Sequence, residues 1–233
     1  MAWRNRRFSV RSFLKEREAL LVHFSTAYSV HPDVSYPDDL RRAARLRDEG
    51  LSFSTILKGD VGPYQGDVHP EDANAQGSIG LVVDITGDDC VTSVGAGDFG
   101  IQIDLTTRSV FMSGRKPGAV ECARSIDERR GANDWRVKNY RVLGVFVFEP
   151  AMAFRPLNDL VIEVPLKIEE ILSAFPGERV FSSNKESFIE YDRVAGGWVP
   201  STYDRIVPPA SGAASSASWD DRPRSESSGE LAP

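Results

Sequence analysis

Leu20-Leu21-Val22-His23-Phe24 is a continuous apolar run with one histidine set into it, as a buried strand would read. The residues after it decide the fold class. From Pro37 to Glu49, Leu40, Ala43, Ala44 and Leu46 recur at helical spacing. Ser35 stands where an N-cap belongs, Pro37, Asp38 and Asp39 fill the first turn, and Gly50 stops the helix. Leu51 to Leu57 returns to a strand pattern, and Lys58 to Gln76 is a polar loop rich in Gly, Asp and Pro. Further strands are expected over Ser78 to Ile85, over Val91 to Val94 continuing past a glycine-rich turn to Ile101–Leu105, and over Trp135 to Val137 and Arg141 to Phe148. Ile162 to Val164, Ser187 to Tyr191 and Gly197 to Val199 complete them, with a second helix over Pro117 to Arg130 and a helical turn near Ile168 to Phe175. Many strands with two main helices predict an α+β single domain built on a split or curled mixed β-sheet.

Working outward, the 233 residues are 41% hydrophobic and 27% charged, enough to bury one core. No apolar run approaches the roughly 18 residues of a membrane span, and the N-terminal residues lack the apolar stretch of a signal peptide, so no membrane partner is expected. Cys90 and Cys122 are the only cysteines, which excludes a disulfide framework and points to the cytoplasm. A net charge of −6 excludes whole-surface attraction to nucleic acid but leaves a local basic cleft open. Residues 1–18 hold six basic side chains against Glu16 and Glu18, interleaved with Trp3, Phe8, Val10, Phe13 and Leu14. They read as a basic N-terminal arm or helix, solvated, laid on the domain or touching an acidic partner. The domain is expected over 19–208. Beyond it, 209–233 is Ser, Ala, Pro and Gly with scattered charge, a composition expected to be a disordered tail because it cannot bury enough apolar surface to offset its ordering entropy.

Several motifs carry chemistry only in the right context. Gly95-Ala96-Gly97-Asp98-Phe99-Gly100 spells the dinucleotide fingerprint, but a strand pattern comes after it where the pyrophosphate-binding helix should start, so a glycine-rich hairpin is the better reading. His23, His31, His69, Cys90 and Cys122 show no metal-ligand spacing, and no metal site is expected. Two features remain. His23 lies inside a strand, followed by Phe24-Ser25, and a strand histidine is either a satisfied core residue or a cleft residue. In Ala132-Asn133-Asp134-Trp135-Arg136-Val137 a carboxylate opens a strand just after a helix, as a turn or cap residue or as an acid at the rim of a cleft.

Together these pieces resemble the ADP-ribosyltransferase fold, in its branch with a histidine on the first strand (the DarT-type toxins and the poly(ADP-ribose) polymerases). Leu21-Val22-His23-Phe24-Ser25 resembles the first strand, Leu40 to Ser54 the helix and short strand after it, and Ala132 to Val137 with Val142 to Phe148 the acid-bearing strand and its successor. The likeness touches residues 20–150 in short pieces. It implies an NAD-dependent transfer of ADP-ribose to a macromolecular acceptor, nucleic acid ahead of protein, by a toxin or defence effector that an antitoxin or inhibitor would restrain. It implies Asp134 and His23 as catalytic residues, and His23, Ser25, Ser52 and Arg136 as the contacts for NAD. The family uses Glu where this chain has Asp134, a carboxylate about one methylene short, and misplacement by about 1 Å can cost roughly 10²-fold in rate. Glu186, or Glu190, in Lys185-Glu186-Ser187-Phe188-Ile189-Glu190 is the second-choice carboxylate, since this stretch is similar to the Glu-bearing final strand of the polymerases.

The residue types suit the chemistry. Breaking the nicotinamide–ribose bond builds an oxocarbenium-like ribose, which a nearby carboxylate stabilises, and the strand histidine would hold the ribose hydroxyls with Ser25 on the same face. Arg115, Lys116 and Arg136 are placed in sequence to meet phosphate, although a solvated surface explains the first two as well. Two other classes stay open: a binding module of the same fold whose site has decayed, and an unrelated metal-dependent nuclease or hydrolase using Asp84, Asp98 and Asp104.

Overall fold

The structure, a computed structural model, describes residues 8–25, 35–60, 79–95, 117–129, 133–148, 152–157, 160–209 and 219. The expected strand Ile101–Leu105, most of the glycine motif and of the 58–76 loop, and Arg115 and Lys116 lie outside these residues. Eleven strands are present among them: β1 (Leu20–Phe24), β2 (Leu51–Ile56), β3 (Ile79–Ile85), β4 (Val91–Gly95), β5 (Asp134–Val137), β6 (Tyr140–Val147), β7 (Met152–Leu157), β8 (Leu160–Pro165), β9 (Val180–Ser183), β10 (Phe188–Asp192) and β11 (Gly197–Ser201). Five helices join them: α1 (Val10–Glu16), α2 (Tyr36–Arg45), α3 (Ala119–Arg129), α4 (Ile168–Ala174) and α5 (Tyr203–Ile206).

Nine strands form one sheet in the order β11-β10-β9-β6-β3-β1-β2-β5-β4, and β7 pairs with β8 as a separate hairpin. Neighbours in the large sheet are antiparallel except β6 and β9, which run parallel from Val145↔Val180 to Phe146↔Phe181. The sheet is mixed and open, so the expected α+β class is present.

The two faces of the sheet carry separate cores. Leu21, Leu81, Val83, Phe53, Trp135 and Val137 face α1, α2 and α3, packing with Val10, Leu14, Leu40, Ala43, Ala44, Cys122 and Ile126. Leu20, Val22, Phe24, Ile56, Val82, Phe146, Phe148 and Phe181 point the other way and close over Phe188, Tyr203 and Ile206. Two glycines permit close strand approaches. A side chain at Gly80 would meet the His23 carbonyl oxygen at 2.6 Å, and at Gly144 (φ +155°) it would run into that of Arg179, where the parallel β6–β9 pairing starts.

One expected helix boundary needs correcting. α2 ends at Arg45, not Glu49: the amide of Leu46 bonds back to Ala43 and Arg42, and Gly50 (φ +78°) instead turns the chain into β2. Beside the two main helices expected, α2 and α3, the described residues hold three shorter ones. Within the basic arm, residues 10–16 form α1, whose Val10 and Leu14 are buried; Ser9 caps it, and Asp88 accepts hydrogen bonds from Ser9 Oγ (3.0 Å) and the Val10 amide (2.8 Å). The C-terminal Tyr203–Ile206 turn buries Tyr203 and Ile206.

Asp84 ties these parts together. Its buried carboxylate, 4% exposed, accepts both Nε (3.2 Å) and Nη2 (2.9 Å) of Arg11 on α1 and Nη2 of Arg141 on β6 (2.8 Å). Removing such an acid strands two guanidiniums that are themselves largely covered. Asp84→Ala is expected to cost about 3 kcal/mol in urea unfolding, whereas Asp204→Ala, which breaks the exposed pair Lys15–Asp204, is expected to cost less than about 1 kcal/mol.

Candidate functional site

The candidate residues gather where β1 and β2 part. The β1–β2 ladder spans Leu20↔Ile56 to Val22↔Ser54. One residue further on, a side chain takes over the role of a backbone donor: His23 Nδ1 lies 2.7 Å from the Ser52 carbonyl oxygen. A carbonyl only accepts, so Nδ1 carries the proton and Nε2 of the neutral ring presents a lone pair. No hydrogen bond to that Nε2 occurs among the described residues. The ring also packs against Phe53 at a centroid distance of 5.5 Å. Burial holds His23 below its ordinary pKa of 6.5, opposed by the Ser52 carbonyl and the Asp39 carboxylate and assisted by Arg136.

Ser52 reaches the acid with its other polar group. Its hydroxyl donates to Asp134 Oδ1, and Arg136 Nε stands 3.6 Å from Oδ2. One residue therefore links the histidine of β1 to the carboxylate of β5, by its carbonyl on one side and its hydroxyl on the other.

Strand alternation adds a fact that local sequence pattern does not carry. Register pairs His23 with Leu81 and Phe53 with Trp135, all on the helix-covered face, while Ser52 pairs with Arg136 on the opposite face, which Asp134 shares. His23 and Asp134 thus lie on two faces of one sheet, joined through Ser52, and do not face each other across a common floor. Ser25 shares the parity of His23, and its hydroxyl donates to Asp39 Oδ2 on α2 at 2.7 Å. Asp39, which the sequence showed only as a first-turn acid, is consequently part of the histidine's surroundings.

Asp134 is placed by a buried network that the motif did not reveal. Asn133 accepts the Thr55 amide (2.8 Å), donates to Thr55 Oγ1 (2.5 Å) and to the Ser125 carbonyl (3.2 Å), and its own carbonyl accepts from Ser54 Oγ (3.1 Å). On the other side, Trp135 Nε1 donates to Ser125 Oγ (3.0 Å), which donates to the Gly95 carbonyl (2.6 Å). Both neighbours of the acid are thereby fixed to β2, β4 and α3. An asparagine beside the acid was the available signal; its burial was not.

The other proposed acids stand elsewhere. Glu186 is exposed in the turn between β9 and β10, where its amide donates to Asn184 Oδ1 (2.9 Å), and Glu190 is held by Arg179 through two hydrogen bonds (2.8 and 2.9 Å) and by Arg205. Asp84 is committed to its two arginines, and Asp98 and Asp104 fall outside the described residues. Among the described residues no three His, Cys, Asp or Glu side chains group as a metal site would need, and no helix is long and apolar enough to cross a membrane. Burial pushes the Cys122 thiol up to about 12, which leaves it a poor nucleophile.

The depressed His23 pKa has a pH consequence. The unfolded chain binds a proton near 6.5 that the folded chain resists, so His23 favours the fold above that pH and its contribution is lost as pH falls below it. Denaturant unfolding between pH 7.5 and about 5 should show wild type losing more stability than His23→Gln; parallel profiles for the two proteins would refute the half-buried neutral ring. Comparison of the chain with family models, with curated proteins and with solved structures gave no match.

Proposed function

We propose that this chain is an NAD-dependent ADP-ribosyltransferase acting on a macromolecular acceptor, with nucleic acid ahead of protein. A toxin or defence role, with an antitoxin or inhibitor as partner, belongs to the same proposal. The observation that carries it is that Ser52 bonds both groups, accepting from His23 with its carbonyl and donating to Asp134 with its hydroxyl, with Arg136 beside the acid, on three adjacent strands.

Each group has a part in the chemistry. The proton on Nδ1 leaves His23 Nε2 as an acceptor for a ribose hydroxyl. Asp134 supplies negative charge for the oxocarbenium-like ribose and can take a proton from the incoming nucleophile. Arg136, partly exposed, suits a pyrophosphate oxygen. Because the two faces meet only where β1 and β2 part, the ribose has to sit at that opening for both groups to act on it.

One observation favours a second reading, a binding module of the same fold without turnover. Asp134 is 5% exposed, lies on the face opposite His23, and already holds the Ser52 hydroxyl. Free nicotinamide released from NAD in cell lysate separates the two. Release by wild type that falls at least about 100-fold in both His23→Ala and Asp134→Ala supports the transferase and its site. Loss in Glu186→Ala alone would keep the chemistry and move the acid, and no release by folded wild type, with or without added nucleic acid, would leave the binding module.

A further inference from the structure

The tail composition predicts nothing that could dock, yet one of its residues does. Trp219 packs on Phe175 with ring centroids 5.7 Å apart, and is partly buried against the helix-side core. Phe175 closes α4 and also touches Tyr36, the first residue of α2, at 6.3 Å. Two arginines shape this seat. Arg41 lies over the Phe175 ring at 5.7 Å and donates to the Ala174 carbonyl (2.7 Å), and Arg193 donates to the Phe175 carbonyl (2.8 Å). Arg42 and Arg45 add exposed positive charge along the same helix, α2. The sequence directly after the tryptophan is Asp220-Asp221.

We propose that the Phe175–Tyr36–Arg41 face is a docking site for a tryptophan followed by acids, and that the chain's own Trp219-Asp220-Asp221 is its occupant. Three observations support this segment. The indole is on the seat. The two acids match the arginines of α2 in sign, as docked segments do. The roughly ten residues from Pro209 to Trp219 span at most about 33–36 Å when extended, enough to cross the face of a small domain. Trp219 is also the only aromatic residue after Tyr203, so the tail has a single such anchor. The docked segment braces the first turn of α2, where Tyr36 precedes the Asp39 that binds Ser25 beside His23. The proposal does not depend on the reaction assigned above.

Fluorine NMR of the full chain carrying 5-fluorotryptophan tests it. The four tryptophans give four lines, and Trp219→Phe identifies the one that matters. That line should differ from its position in the urea-denatured chain, move towards it in Phe175→Ala, and move part of the way at about 0.5 M salt, which screens the acid–arginine attraction. A native Trp219 line at the denatured position overturns the proposal. Because Phe175 is also a core residue, a second measurement stands apart from its variant. A synthetic peptide of residues 214–224 titrated into Trp219→Ala should perturb the amide signals of Tyr36, Arg41 and Phe175, and the same peptide with alanine for the tryptophan should not. Equal perturbation by both peptides, or none by either, rejects the site. A docked line whose population rises with protein concentration assigns the seat to a second copy and rejects the tethered occupant.

Discussion

The alternation of side chains along β1, β2 and β5 is the constraint on which the candidate site depends. Shifting any of these strands by one residue would exchange its two faces and bring Phe53 or Trp135 out of the core, so the register is held by the largest apolar side chains available. With the register held, His23 must lie on the helix side and Asp134 on the other. The Ser52 residue lies between them because a strand residue sends its carbonyl along the sheet plane and its side chain out of it. That is why one serine can accept from a histidine in the opening between strands and donate to a carboxylate on a face.

The surrounding polar burial obeys the same logic. Each buried polar group near the acid has its partner: Asn133 uses its oxygen and its nitrogen, and Ser125 passes the Trp135 proton donor on to the Gly95 carbonyl. Networks of this kind are stabilising only when complete, since an orphaned group in a low-dielectric interior costs about 1–3 kcal/mol. The other end of the molecule is joined by charge, with Asp84 between Arg11 and Arg141, and Glu190 between Arg179 and Arg205. Asp84 and Glu190, two of the acids considered outside β5, are therefore used to join elements.

What the sequence made legible was whatever depends on neighbours in the chain. The apolar run at Leu20–Phe24, the Ser35 cap of α2, the Asp134 start of β5 and the β10 and β11 strands of the C-terminal half all follow from local periodicity and turn chemistry, whereas β9 was not foreseen. Local signals mislead where two of them compete. The arginines of residues 4–17 leave an arm and a helix both open although Val10 and Leu14 are spaced by four, and Gly50, placed like a helix stop, begins the turn into β2. Pairings across long separations were not legible at all. The register Phe53↔Trp135 joins residues 82 positions apart and decides which face Asp134 occupies. Nor could composition foresee that Trp219, in a stretch of small and polar residues, finds Phe175.

An aspartate where the proposed transferase reading calls for a glutamate fits this geometry. On a short side chain the carboxylate stays near the sheet surface, within reach of Ser52 and Arg136. An acid held this close to its own strand is preorganised and partly spent. To serve a ribose it must share or release the Ser52 hydroxyl, an exchange of one hydrogen bond for another whose net value is about 1 kcal/mol. That is small against the several kcal/mol that electrostatic stabilisation of a developing cation can supply. The energetics therefore do not separate a working site from a resting one. Position does: under the proposed reading a ribose must reach both groups where the β1–β2 pairing ends at Val22↔Ser54 and the His23 ring meets the Ser52 carbonyl.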